Sequence, residues 1–401
     1  MKIVILAPSH KSNIHKFIPK YELQNLPEGY YGAPFISTLI EELLNKGHEI
    51  TAITTTKAID LNYDIKEFVG ENFKWIVVPV RKHSIRFNGL RLGYVLDFYS
   101  YERRQLKKVT FAQNSDFIHA HWSYEFASVV CKNPTPGLVT IHDNPYLVLK
   151  FTRDLHRLVR LLMSEWILRK LKFVSTVSPY MKKYAEGRCS TVKIIPNPTV
   201  VKYSSCEIIH LIDKKIDTLV SPKYIMIMNG WDDRKNGNAG LKAFQYILEK
   251  LPSSSLDLFG QGTQPSGPAW DAANMMRLKN TKFHGPVSHE ILLNFISEAH
   301  ILIHPSKEES FGVVLIEAMA CGVPVIGGTN SGAVPWVIDN SALLVDVMDP
   351  QSIANKAIEL TACAELYKEV SEKSYQNVLN RFSAEAVTTE YTKYYNEIIN
   401  K

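Results

Sequence analysis

The chain has 401 residues and a mass of 45.5 kDa, and it is 45% hydrophobic and 21% charged. That length exceeds one ordinary core and predicts two domains, while the composition excludes a disordered or low-complexity chain. The net charge of +6 is uneven, with 28 Lys/Arg against 17 Asp/Glu in residues 1–200 and 18 against 23 in residues 201–401; a basic first half fits an anionic partner such as a membrane surface or a phosphorylated acceptor.

In chain order, Lys2–Ala7 is a continuous apolar run of the kind that becomes a strand buried on both faces. Phe35, Leu39, Ile40, Leu43 and Leu44 recur at helical spacing, and Gly47 stops that helix. Glu49–Thr54 alternates and is β-branched, which predicts the next strand. Trp75–Val80, Phe117–His121, Leu138–His142 and Phe173–Val177 read as further strands. Between the last two, Leu155–Ile167 reads as a helix with Leu155, Leu158, Val159, Leu162, Met163 and Trp166 on one stripe. Arg153, Arg157 and Arg160 fall on its other face, which anionic lipid or plain solvent could meet.

Pro196-Asn197-Pro198 marks a change, and residues 199–222 read as an irregular polar linker. A second β-α series follows, with strands at Tyr224–Met228, Leu256–Phe259, Phe283–Gly285, Ile301–Ile303 and Val323–Ile326. Helices are predicted at Leu241–Leu251, Ile291–Ala299, Val313–Ala320, Ser352–Ala362 and Ala384–Ile399. The last carries Tyr391, Tyr394 and Tyr395 and is expected to pack on one of the domains. The predicted organisation is a first domain over 1–198, a linker over 199–222, a second domain over 223–380 and a terminal helix over 381–401 that crosses back to the first domain. The fold class is α/β, with two doubly wound Rossmann-like domains facing a cleft; ligands of such sheets sit beyond the carboxyl ends of the strands.

The stretch His304 to Ile326 reads strand, loop, helix, glycine stop, strand. Glu309 lies in its loop, Gly312 lets a ligand approach the backbone, and Glu317 sits within the helix. The free N–H groups at a helix start favour a phosphate, so two carboxylates could bind hydroxyls on either side of a diphosphate. A surface helix carrying two solvated glutamates has the same spacing. In the first half, Phe117, His119 and His121 share one strand face by alternation.

Several signatures are missing. Gly260-x-Gly262 has Pro265 where a nicotinamide fingerprint needs a third glycine, and no phosphate-loop sequence occurs. The five cysteines (Cys131, Cys189, Cys206, Cys321 and Cys363) are widely spaced, which argues against a disulfide framework or zinc site and for a reducing, cytoplasmic setting. Asp232 and Asp233 are adjacent and indicate no metal site, and no aromatic residues interleave the cations as a nucleic-acid surface requires. No apolar run approaches the roughly 18 residues of a membrane span, and the run at Met1–Pro8 is too short for a signal peptide.

The arrangement Pro305-Ser-x-x-Glu309-x-Phe311-Gly312-x-x-x-x-Glu317-Ala-Met-Ala-x-Gly322-x-Pro324-Val325 resembles the retaining family-4 glycosyltransferases, which have the GT-B architecture. Phe283-His-Gly-Pro-Val287, Leu256-Asp-Leu-Phe-Gly-Gln-Gly262, Asp116-Phe-Ile-His-Ala-His121, Thr140-Ile-His-Asp143 and Ile195-Pro-Asn197 extend the resemblance over most of the chain. It implies a hexosyltransferase-type enzyme that moves a sugar from a nucleoside-diphosphate sugar, UDP- or GDP-linked, to an acceptor hydroxyl without a cofactor or metal. By resemblance Glu309 contacts the donor sugar, Glu317 holds the ribose, and the backbone at Phe311, Gly312 and Val313 holds diphosphate oxygens. Lys235, with Arg234, neutralises the diphosphate; Trp231 stands where the family has its usual arginine. His121 is implied beside the donor sugar, Gly32 in the first donor loop, and His142 and Asp143 as acceptor or donor contacts.

The chain departs from the family at Tyr31-Gly32, where a double glycine is usual, at Ser331-Gly-Ala-Val-Pro-Trp336, which lacks a glutamate, and at Asn340-Ser341-Ala342, which lacks a glycine. The acceptor is expected to be a saccharide or a lipid-linked molecule at an anionic membrane surface, as in surface polysaccharide or glycolipid synthesis, with no nucleic-acid partner and peripheral attachment at the inner face. Other uses of the same fold remain open: a sugar-nucleotide epimerase, a phosphorylase, or a non-catalytic binder of nucleotide sugars. Glu309→Gln is expected to cut turnover with little loss of folding.

Overall fold

Ile3 to Leu6 are buried to 1% or less in β1 (Lys2–Leu6), because parallel strands are covered on both faces by their connecting helices. The computed structural model describes residues 1–59, 61, 64–131 and 133–401. β1 is followed by β2 (Glu49–Thr56), β3 (Lys66–Gly70), β4 (Phe73–Pro79), β5 (Phe117–His121), β6 (Gly137–Ile141), β7 (Phe173–Thr176) and β8 (Thr191–Ile194). They form one sheet in the order β3-β4-β2-β1-β5-β6-β7-β8. β3 joins β4 antiparallel and the remaining neighbours pair parallel. The order reverses between β1 and β5, so the loops leaving those two strands flank the switch point where such sheets hold ligands.

A second sheet holds β9 (Lys223–Ile227), β10 (Ser255–Phe259), β11 (Thr281–Gly285), β12 (Ile301–His304), β13 (Val325–Gly328) and β14 (Leu344–Val345) in the order β11-β10-β9-β12-β13-β14, all parallel. Its switch point lies between β9 and β12. The chain divides into two compact units, Met1–Pro198 with Val387–Lys401, and Thr199–Ala386. The expected α/β class with two Rossmann-like sheets is therefore what the chain adopts.

Two expectations change. Residues 205–216 are not irregular, because Ser205–Ile216 is a helix within the second unit. Ser204 and Glu207 close a reciprocal capping box at its start, and Ile208 and Ile212 are buried one turn apart. In the helix Leu155–Leu168 the apolar stripe splits. Val159, Met163 and Ile167 are buried, whereas Leu155, Leu158, Leu162 and Trp166 stay exposed. Arg160 leaves the solvated face to bond Glu125 at 3.2 Å and to lie over the Tyr124 ring.

The terminal helix Ala384–Ile399 explains its own tyrosines. Tyr395 and Tyr391 are buried in the first unit, where the Tyr395 hydroxyl meets His119 Nδ1 at 2.7 Å and the Tyr391 hydroxyl meets Thr140 Oγ1 at 3.2 Å.

Lys215, on the helix that the polar sequence concealed, is buried and donates to the Cys321 carbonyl at 3.1 Å, at the end of the helix Val313–Ala320. Burial pulls its pKa from the ordinary 10.5 down to about 7, against a smaller upward pull from Cys321. Between pH 7 and 10.5 the unfolded chain holds a proton that the folded chain has lost, so stability rises with pH across that window. Lys215→Met should abolish that rise. At pH 7 it should stabilise the second unit by on the order of 3 kcal/mol, since the relieved desolvation exceeds the roughly 1 kcal/mol of the lost hydrogen bond. Urea melts at pH 7 and pH 10 measure this, and an unchanged or lowered stability at pH 7 would contradict it.

Candidate active site

In the second unit, the chain leaving β9 turns through Gly230 (φ 117°) and enters the helix Gly237–Lys250 at Asn236, which sits in the left-handed region at φ 54°. Asn tolerates that conformation, and the Asn236 amide uses it to donate to Pro305 O (3.0 Å) and Val347 O (2.9 Å). The Lys235 backbone N–H donates to Asp232 Oδ1 at 2.9 Å. These bonds tie the loop after β9 to the loop after β12 across the switch point, and they fix where the Lys235 side chain emerges.

That side chain meets Glu309. Lys235 Nζ lies 2.5 Å from Glu309 Oε1, and the two side chains are 11% and 12% exposed. His304 Nε2 is 3.5 Å from the same oxygen. Glu309 is held from behind by a bridge to Gly332, with Ala333 N–H donating to its carbonyl at 2.9 Å. Burial alone would raise the Glu309 carboxyl pKa, but Lys235 and then His304 hold it well below the ordinary range, so it is a carboxylate. Arg234 turns instead towards Glu308, with Nη1 at 3.4 Å from its carbonyl and 3.7 Å from Oε2, and adds only a smaller pull on Glu309.

Three residues beyond Glu309, Gly312 adopts φ 86° and opens the helix Val313–Ala320, whose first turn no side chain caps. A Cβ there would stand 2.8 Å from Leu315 Cδ1, the end of a side chain that can turn aside, so it is the conformation that selects glycine. The backbone donors of that turn are the expected anion site. Phe311 contributes backbone only, since its ring is buried edge-on against Trp336 and Phe382. Glu317 is 8% exposed, and its Oε1 lies 2.7 Å from His289 Nε2. Burial pushes the His289 pKa down, but the Glu317 bond and charge overcome this and raise it.

Three residues of this site carried no sequence assignment: His289, Ser306 and Ser331. The Ser306 and Ser331 hydroxyls are buried without a hydrogen-bond partner among the described residues. Ser306 follows β12 in the His304-Pro-Ser run, and Ser331 precedes the Gly332 that pairs with Glu309. Position in the motif was the available signal for both serines, while His289 had none. One fixed cation, an uncapped helix start, two carboxylates and two unspent hydroxyls form a polar site suited to a diphosphate with hydroxyl groups on either side.

The first unit gathers His121 and His142 at the ends of β5 and β6, with His121 Nδ1 2.9 Å from His142 Nε2. Burial pushes both well down, His142 to about 3, so both rings are neutral. His121 Nε2 is buried and has no partner among the described residues. Asp143 accepts from the Tyr124 hydroxyl at 3.0 Å, and burial raises its pKa against the pull of Arg160. Gly32 adopts φ 118° with open space where a Cβ would stand, so conformation rather than crowding selects glycine there. It precedes the helix Pro34–Asn45, whose Phe35 packs on His142 at 5.1 Å. Among the described residues no His/Cys/Asp/Glu group is arranged to hold a metal, and no helix is long and apolar enough to cross a membrane.

Residues 33–202 match the family model described as Glycosyltransferase Family 4, and residues 211–377 match Glycosyl transferases group 1. N-acetyl-alpha-D-glucosaminyl L-malate synthase of Bacillus anthracis is 24% identical over 377 residues, covering 90% of this chain and 92% of that protein. Among solved structures, sucrose-phosphate synthase from Thermosynechococcus elongatus superposes with a TM-score of 0.73 at 20% identity, covering all of both chains. The Anabaena HepE protein in complex with UDP has a TM-score of 0.66 at 16% identity, covering 99% of this chain and 100% of that one. At these identities the structural likeness speaks for the fold.

Proposed function

Because the chain belongs to the family 4, group 1 glycosyltransferases and is a glycosyltransferase, we propose that it moves a hexosyl group from a nucleoside-diphosphate sugar to an acceptor hydroxyl with retention of configuration. The observation that carries this reading is the buried Lys235–Glu309 pair placed three residues before the uncapped helix start at Gly312. In the reaction the bond from the anomeric carbon to the phosphate oxygen breaks. The acceptor oxygen bonds to the same face, and its proton passes to the leaving phosphate. Lys235 and the backbone donors at Phe311, Gly312 and Val313 stabilise the charge that develops on that phosphate. Arg234 adds long-range charge rather than a direct contact. Glu309 orients the sugar hydroxyls and Glu317 the ribose, while His289 keeps the Glu317 carboxylate in place.

The second unit is the donor-binding body, and the first unit, with its basic balance, takes the acceptor. His121 is the first unit's group for the transferred sugar, because its buried Nε2 awaits a partner; His142, hydrogen-bonded to its Nδ1, orients it, and Asp143, the residue after His142, serves acceptor or donor hydroxyls. UDP- and GDP-sugars are the donors to try first, and the UDP bound by the HepE protein supports the former. The acceptor is a saccharide or lipid-linked molecule of surface polysaccharide or glycolipid synthesis, reached from the cytoplasmic face at an anionic membrane surface.

A thermal-shift screen of UDP, GDP, ADP and their sugars tests the donor reading. The matching nucleotide at a hundredfold excess over its Kd should raise the melting temperature by about 5–10 °C. No shift with any nucleotide would sink the reading. Donor incubated without acceptor should release nucleotide and sugar slowly, and epimerised donor would replace transfer with epimerisation.

A further inference from the structure

After β4 the chain makes an excursion before the helix Ser100–Phe111. Its segment 82–96 holds Lys82, Arg86 and Arg91 and no acidic residue. Ile85, Phe87, Leu90, Leu92 and Leu96 are exposed, Phe87 at 66% and Leu90 completely. Single exposed apolar residues are ordinary, but five within twelve positions form a patch.

The excursion is held in this form by polar bonds at its base. Arg81 is buried and donates to Leu92 O at 2.8 Å, to both Asp97 oxygens at 2.8 Å, and to Glu102 at 2.5 and 2.9 Å. Asn88 Oδ1 accepts from His83 N–H at 2.8 Å, and its amide donates to His83 O at 3.1 Å. Asn88 and Arg91 form a bridge across the tip. At Gly93 a Cβ would stand 2.3 Å from Ser84 O, so the two arms approach as closely as only glycine permits. A cavity of about 480 Å³ opens beside the tip, with Ile59, Phe87, Leu90, Lys82 and Arg91 among its lining residues. The satisfied base thus holds apolar side chains out in water.

Apolar tips flanked by cations and free of acids complement an anionic bilayer, where the side chains enter the boundary between headgroups and acyl chains and the cations meet the headgroups. A second copy of the chain fits poorly, since an isologous contact would bring two acid-free, triply cationic loops together. The exposed stripe Leu155, Leu158, Leu162 and Trp166 is less suited, because Asp154 caps the start of that helix and Glu165 lies within it.

We propose that the 82–96 loop is a membrane wedge in which Phe87 and Leu90 insert into an anionic lipid surface while Lys82, Arg86 and Arg91 hold its headgroups. The proposal rests on the reading that the acceptor lies at such a surface, and it assigns the contact to one loop. Full-length protein is floated with phosphatidylcholine vesicles, with and without phosphatidylglycerol, at low and high salt. The wild type should float only with the anionic vesicles and be released by salt. Arg86→Gln/Arg91→Gln should lower binding about thirty-fold, and Phe87→Ser/Leu90→Ser at least about tenfold. Both variants should keep the nucleotide-induced melting shift, which shows that they are folded. Wild-type flotation that both variants retain would overturn the loop assignment and leave the membrane reading standing, as would loss of flotation in Leu158→Ser/Leu162→Ser alone. A wild type that fails to float at low salt would sink the membrane reading and the wedge with it. Sedimentation that shows a dimer dissolved by Phe87→Ser/Leu90→Ser, without flotation, would replace the bilayer with a second copy.

Discussion

Lys235→Ala should lower kcat/KM by about 10²–10³, the loss seen when one charge-stabilising donor is removed from a site where charge develops. It should also destabilise the second unit, because Glu309 is 12% exposed and would be left with His304 at 3.5 Å. Breaking a buried pair by removing one partner costs about 3–5 kcal/mol, since the survivor's charge stays desolvated. The two losses have different causes, and a double-mutant cycle separates them. Glu309→Gln should destabilise as well, leaving the Lys235 ammonium buried without a counter-charge, so the sequence-based expectation that it spares folding gives way to the ion pair. Lys235→Ala/Glu309→Gln buries neither charge and should regain most of the stability while transfer stays as slow as in the worse single variant.

The pH dependence has opposite signs in the two proteins. In the wild type the Glu309 pKa lies below its ordinary 4.5, so the pair's contribution is present above pH 4.5 and lost as pH falls through the depressed value. In Lys235→Ala, burial acts without the ammonium and lifts that pKa, so acidification from neutral should stabilise the variant. Chemical melts between pH 4 and 8 read this directly. Additive stability losses in the cycle, with near-normal turnover in either single variant, would remove Lys235 and Glu309 from the mechanism.

This pairing shows what a sequence can and cannot disclose. By motif Lys235 was assigned to the diphosphate and Glu309 to the donor sugar, but their direct contact spans 74 positions and depends on β9 and β12 being neighbours. The central strands were legible because covering both faces favours an unbroken apolar run, as in Ile3–Leu6 of β1. Three of the four edge strands were not: β3 buries only Phe68, β8 is half-buried throughout, and β14 has two residues. The helix Ser205–Ile216 hid behind polar composition, though its Ser204/Glu207 box was a readable start signal. The helix Ala364–Arg381 escaped for a similar reason, since Tyr367, Val370 and Tyr375 supply its buried face amid charged residues. His289 has no periodic or motif signature, and only the folded neighbourhood, where it bonds Glu317, gives it a role.

Gly260→Ala should be the most damaging single methyl addition in the second unit. Gly260 follows β10 at φ 103°, and a Cβ built there would stand 1.9 Å from Met228 O and 2.7 Å from Met228 C. Neither atom is the end of a flexible side chain, so the backbone at Met228, just past β9, must shift. Gly260 N–H donates to Gly285 O at 2.9 Å, and its carbonyl accepts from Thr263 Oγ1 at 2.8 Å, so the other side has no slack. Gly47→Ala is the control: it has a similar positive φ of 78° and nothing within 4 Å of the new Cβ. That change carries backbone strain alone, about 1–2 kcal/mol, whereas Gly260→Ala adds the displaced carbonyl and should exceed about 4 kcal/mol. The displacement also reaches the site, because Met228 leads into the Gly230 turn, whose N–H is bonded to Gln261 O at 3.0 Å and which positions Lys235. Any Gly260→Ala protein that folds should therefore bind nucleotide more weakly than Gly47→Ala of equal purity. Equal urea midpoints for the two variants, with equal nucleotide-induced melting shifts, would show that the backbone at Met228 yields at no cost and that the turn does not set the lysine.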